Sequence, residues 1–138
     1  PDPANFALGK LYTSAFYRLL EKRLSAHGLI VVQSTSPLYA RQSFWCVVTT
    51  LESVGFKTAP YHALVPSFGE WGFIIAGRPG FSIAATVDPK KTRFLTPETT
   101  PDLFRFPADM ARLPAEVNQL NNQVLVRYFE AEWRKVVR

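Results

Sequence analysis

Nine residues, Val65-Pro66-Ser67-Phe68-Gly69-Glu70-Trp71-Gly72-Phe73, restrict the fold of this chain more than any other segment. They join two apolar runs, 57–65 and 71–77, that read as strands. A link this short pairs its two strands antiparallel, because a parallel return needs a long crossover. The stretch also holds three aromatics, two glycines, a proline and one carboxylate, a poor composition for a plain hairpin core. Turn residues around an exposed aromatic and an acid are the usual makings of a ligand wall.

The elements upstream set what that hairpin joins. From Thr13 the spacing of Phe16, Leu19, Leu20 and Leu24 predicts a helix, capped by Thr13 or Ser14 and ended at His27-Gly28. Leu29-Ile30-Val31-Val32-Gln33 is a continuous apolar run rich in β-branched residues, the pattern of a strand covered on both faces as in a parallel sheet. A second amphipathic helix is expected over 40–54, closed by Gly55. Helix, parallel strand, helix, strand and reversed strand is the closing half of an open α/β sheet.

Six prolines between Pro79 and Pro114 forbid long helices there, while Phe81, Phe94, Phe104, Phe106 and Met110 indicate a segment plastered onto the fold. A final helix is expected from about Ala115 to the end. Val117, Leu120, Val124 and Tyr128 mark one apolar face, and Val126, Phe129, Trp133 and Val137 a second. A helix apolar on two sides is either deeply packed or meets another surface. The organisation read from this is 1–78 as half of a catalytic domain, and 79–138 as a proline-rich wrap with a long C-terminal helix.

Composition narrows the function. The 138 residues carry a formal charge of +5, spread along helices rather than gathered in the dense basic stripe that nucleic acid wants. No apolar run reaches membrane-spanning length. The lone Cys46 reads as a small buried apolar residue. His27 and His62 lack partners at metal-ligand spacing, so no metal is expected. No G-x-G-x-x-G occurs, so no dinucleotide or adenosine fingerprint is present. The chain opens Pro1-Asp2-Pro3 in an apparent loop without an initiator methionine, and it reads as a fragment of something longer.

Four segments in order resemble the spermidine synthase family, the polyamine aminopropyltransferases. Pro1-Asp2-Pro3 looks like the end of the family's D-x-x-D-P loop. Leu11-Tyr12-Thr13-Ser14-Ala15-Phe16-Tyr17 resembles the helix start that follows it. Val65 to Phe73 is similar to the family's proline-tyrosine turn and strand, and Thr92-Arg93-Phe94-Leu95-Thr96-Pro97-Glu98 to its x-R-Y-Y-x-P-E segment. The wording Phe-Gly-Glu-Trp looks most like a bacterial subgroup whose synthase-like domain follows predicted membrane helices.

The resemblance implies the C-terminal half of a methyltransferase-type, Rossmann-like sheet with a final antiparallel strand pair. It implies aminopropyl transfer from decarboxylated S-adenosylmethionine, a co-substrate, to a diamine such as putrescine. No cofactor is expected in the fragment, which would supply the diamine side alone and be inactive by itself. Asp2 matches the second acid of the D-x-x-D-P loop and is the catalytic candidate; the first acid would precede Pro1. Gln33, at the end of a strand where α/β sheets place ligands, matches a residue facing the diamine. Phe68 matches a tyrosine over the substrate, Glu70 would restore an acid nearby, and Tyr12 sits at the same edge. The resemblance also implies a cytoplasmic domain attached to the inner membrane through an N-terminal region.

Plainer readings stand beside these. Asp2 reads equally as a turn acid before proline, Gln33 as a sheet-end amide, Glu70 as a solvated hairpin acid, and Phe68 as core. For the whole chain, one alternative is a non-catalytic binding domain that dimerises through Val126, Phe129 and Trp133 of the C-terminal helix. Another is part of an S-adenosylmethionine-dependent methyltransferase.

Overall fold

The computed structural model describes residues 2–83 and 87–137, so Pro1 of the opening motif lies outside the described residues. Strands β2 (Lys57–Val65) and β3 (Gly69–Gly77) form the expected hairpin. Its turn is closed by Phe68 N–H donating to Val65 O at 3.0 Å. Pro66 in second position and Ser67 at φ 71° in third give a type II pattern, and Gly69 follows at φ 85°.

Strand β1 (Leu29–Gln33) pairs antiparallel with β3, so the sheet order is β1-β3-β2. Both outer strands oppose β3, and β1 and β2 therefore run in the same direction. β1 was expected to be covered on both faces. Within this chain it lies at the outer position of the sheet and pairs antiparallel rather than parallel, with Leu29 52% and Val31 61% exposed on one face. Its other side, with Ile30 and Val32, packs onto the core.

Helix α1 (Phe6–Gly9) and a 3₁₀ turn (Lys10–Tyr12) occupy residues to which the sequence pattern assigns no element. Helix α2 (Ser14–Arg23) is capped by Thr13, whose hydroxyl accepts from Phe16 N–H at 3.3 Å. It stops short of His27-Gly28. Arg78, just past β3, donates to the carbonyls of Glu21 and Leu24 at 3.0 and 2.8 Å and so satisfies the end of α2.

Helix α3 (Arg41–Ser53) covers one sheet face with Phe44, Val47, Val48 and Leu51, all but fully buried against Ile74 and Ala76. It ends as expected, with Gly55 at φ 103°, a left-handed position that favours glycine. Cys46 is fully buried in this core, and burial pushes its thiol up to about 12.

The proline-rich segment straps the outer edge of β2. Phe104, in a 3₁₀ turn (Thr100–Phe104), packs on Tyr61 on one face at 5.6 Å. Phe106 packs on Trp45, Phe44 and His62 on the other, at 5.0, 5.7 and 4.8 Å.

The last helix, α4 (Val124–Val136), starts nine residues later than the apolar spacing predicts. Asn118 is the cause. Its buried amide donates to Gly9 O and Tyr12 O at 3.3 and 3.1 Å, and its Oδ1 accepts from Leu125 N–H at 3.2 Å. Gln123, at φ 45°, then breaks the backbone. Val126 and Phe129 are buried inside the chain, 1% and 8% exposed, so they are not a free dimer surface. Among the described residues no helix is long and apolar enough to cross a membrane.

Candidate functional site: a cleft at the end of the sheet

The C-terminal ends of β1 and β2 and the start of β3 meet at one end of the sheet, the end where α/β folds present ligands. Strand pairing aligns Gln33 with Phe73, and Phe73 with Tyr61, in one row across the sheet. Trp71, two residues from Phe73, faces the same side. Gln33, Val65, Phe68, Trp71 and Phe73 line a cleft of about 270 Å³ there. Phe68 is 68% exposed and meets Trp71 edge-on at 6.1 Å. Such ring walls attract an ammonium or guanidinium through their faces.

Gln33 also borders a second cleft, of about 420 Å³, together with Tyr12, Phe16 and Tyr17. It is thus the shared wall of two depressions. Tyr12 is buried, and its phenol is pushed up to about 12 by burial and by the charge of Asp2. Asp2 stands beside Tyr12 with its Oδ1 buried and without a hydrogen-bond partner among the described residues. Burial raises its pKa above the ordinary carboxylate value. A carboxyl in that state takes up a proton more readily than one in water. The Tyr17 hydroxyl is likewise buried and unpartnered, and burial raises its pKa far more.

Glu70 is placed differently from its four companions. Side chains alternate along β3, so Glu70 and Gly72 face away from Trp71 and Phe73. Its carboxylate pairs with His62 Nδ1, while His62 Nε2 meets Arg105 O at 2.6 Å. Glu70 therefore helps pin the proline-rich strap and does not line the cleft. Among the described residues no cluster of three His, Cys, Asp or Glu side chains stands ready to hold a metal.

The loop from Gln33 to α3, part of the Val31–Pro37 stretch that the sequence marks out beside the hairpin, holds polar groups to which it gives no individual role. The hydroxyls of Ser34 and Thr35 are buried without partners, and Thr35 has φ 26°. The Ser36 hydroxyl accepts from Leu38 and Tyr39 N–H, each at 3.3 Å. The run Ser34-Thr35-Ser36-Pro37 was the available signal, since short hydroxyl residues before proline compete for backbone groups. Glu132 was missed too: from α4 it accepts hydrogen bonds from the first turn of α3.

These features make a mixed α/β unit, a three-stranded antiparallel sheet covered by helices and closed by a C-terminal helix, which is consistent with a fragment of a spermidine synthase or methyltransferase-type fold. The spermine/spermidine synthase domain family matches residues 1–80. Two proteins of Ralstonia nicotianae, named polyamine aminopropyltransferase 2 and 1, are each 54% identical over 140 residues. The match takes in 100% of this chain but 27% and 26% of theirs. A polyamine aminopropyltransferase of Leptospira interrogans is 47% identical over 137 residues, covering 99% of this chain and 27% of its own length. The chain belongs to the spermine/spermidine synthase domain family, and it spans about a quarter of the length of these curated relatives.

Proposed function

We propose that these residues form the diamine-binding side of a polyamine aminopropyltransferase, with residues 1–78 as part of its catalytic domain. The observation that carries the reading is Gln33. It ends β1 as the common wall of the Phe68–Trp71 cleft and of the Tyr12 cleft beside Asp2.

In this reading a neutral primary amine of putrescine attacks the carbon beside the sulfonium of decarboxylated S-adenosylmethionine. A nitrogen–carbon bond forms, the carbon–sulfur bond breaks, and methylthioadenosine leaves as a neutral thioether. The amine is protonated in water, so a carboxylate must remove a proton and hold the nitrogen in line. Asp2, with its raised pKa, lines the path of that amine and assists the proton's removal. Gln33 orients the amine chain by hydrogen bonding, and the Phe68 and Trp71 rings take the far cationic end. The adenosine side belongs to residues other than these. Attachment to the inner membrane would rest on an N-terminal region, and a homodimer on the C-terminal helix.

The test is to assay the natural gene product with putrescine and decarboxylated S-adenosylmethionine beside the isolated 138 residues. Transfer by the gene product and none by the isolated chain is expected. Robust turnover by the isolated chain would sink the division of the site, and no transfer by the gene product would sink the enzyme reading.

A further inference from the structure

Helix α3 lacks a cap of its own. Ala40 stands at its N-cap and offers no side-chain acceptor. Glu132 supplies one from α4. Its Oε1 accepts from Gln42 N–H at 2.6 Å, and its Oε2 accepts from Ser43 N–H at 3.0 Å and from the Ser43 hydroxyl at 2.6 Å. The next residue, Trp133, meets Tyr39 with ring centroids 6.4 Å apart. Tyr39 in turn stands beside Gly69, where an added Cβ would lie 3.9 Å from its Cε2. One stretch of α4 thus touches the start of α3 and, at Tyr39, the loop leading back to Gln33; Tyr39 in turn stands against the hairpin that carries Phe68.

We propose that Glu132 is a positioning residue for the cleft at the sheet end, a role that rests on the diamine reading above. By capping α3 it fixes the Ser34–Tyr39 loop and so the side chain of Gln33. It has an electrostatic share as well. An uncapped helix N-terminus carries about half a positive charge, which disfavours a cationic substrate nearby; the carboxylate offsets that charge. Glu132 lies outside residues 1–80, so the cleft depends on a part of the chain that the family match does not cover.

The experiment compares Glu132→Ala, Glu132→Gln and a surface control, Glu130→Ala, in the natural gene product. For Glu132→Ala the KM for putrescine should rise roughly tenfold, the scale of losing a helix cap, while the KM for the aminopropyl donor changes by less than about twofold. Glu132→Gln, which keeps one acceptor oxygen, should fall between, and Glu130→Ala should match the parent. A purely structural role would lower the active fraction and leave both KM values alone.

Amide hydrogen exchange gives a readout independent of turnover. In Glu132→Ala, or in Glu132→Gln where the alanine variant does not fold, amides of residues 34–43 should exchange faster while those of β3 stay protected. Unchanged exchange there, or an unchanged putrescine KM in an active protein, overturns the proposal. If the parent protein transfers no aminopropyl group, the diamine reading fails by itself, and exchange alone decides whether Glu132 fixes the loop.

Discussion

Arg112 closes on Glu52 with two hydrogen bonds, Nη1 to Oε1 at 3.1 Å and Nη2 to Oε2 at 2.5 Å, and ties the proline-rich segment to the end of α3. Thr58 at the start of β2 donates to the same carboxylate at 2.7 Å. Burial pulls the Glu52 pKa up, but the Arg112 and Thr58 hydrogen bonds outweigh it and hold the group below its ordinary 4.5. A carboxyl depressed in the folded state stabilises above its unfolded pKa, and that contribution is lost as pH falls through the folded value. Stability should therefore drop below about pH 4.5, and Glu52→Gln should flatten that part of the curve. Both partners are partly exposed, so Arg112→Ala should cost only about 0.5–1 kcal/mol by urea denaturation.

Asn118 should matter far more. It is fully buried, and its amide satisfies two carbonyls before α2 and one N–H in α4. Its own N–H donates to Thr50 Oγ1 at 2.9 Å, and its carbonyl accepts from Ser14 N–H at 2.9 Å. Asn118→Ala would leave several buried backbone groups without partners, at about 1–3 kcal/mol each before relaxation. A loss of about 3 kcal/mol or more in denaturant unfolding is expected. Asn118→Leu should be no better, because filling the volume restores none of the hydrogen bonds. A loss under 1 kcal/mol would mean that water replaces the amide.

Much of the fold was legible because its signals were local. Thr13 before α2, Gly55 after α3 and the Pro66–Gly69 turn each fix one backbone conformation through a neighbour or two. What the sequence hid depended on distant partners. The Val117–Leu120–Val124 spacing fits a helix, but Asn118 draws its residue into contacts with Gly9 and Tyr12 instead. In the site, Gln33 and Phe68 were readable from strand end and turn. Glu70 was readable in principle, since alternation along β3 places it opposite Trp71. Glu132 was not, because its partners lie 89 and 90 residues away. Only the missing cap at Ala40 hinted at it.

Gly72 is where the core presses on the site. A Cβ there would lie 2.5 Å from two ring carbons of Phe44 and 2.9 Å from the carbonyl oxygen of Ser34. Phe44 is fully buried and has no room to withdraw. Gly72→Ala should destabilise by about 1–3 kcal/mol through overpacking. It should also push the Ser34 loop outward, because Ser34 N–H bonds Gly72 O at 2.9 Å and Gly72 N–H bonds Thr35 O at 2.8 Å. A drop in melting temperature with reduced protection of the position-72 amide, relative to the parent, in hydrogen exchange would show both effects. An alanine variant as stable as the parent would show that Phe44 repacks.

Phe68 and Glu70 stand two residues apart and have opposite expected consequences. Phe68 is 68% exposed, so Phe68→Ala should change stability by no more than about 0.5 kcal/mol. Its ring forms a wall of the Gln33–Trp71 cleft, and losing a ring face for a cation costs about 1 kcal/mol, a rise of roughly fivefold in the KM for putrescine. Glu70 points to the other face and holds His62 under the strap at Arg105. Glu70→Gln should leave the putrescine KM alone and lower the melting temperature, with earlier protease cleavage in the segment around Arg105. If instead Glu70→Gln weakens putrescine binding while Phe68→Ala does not, the charge and not the ring recognises the amine. The hairpin would then have to turn Glu70 into the cleft when substrate binds.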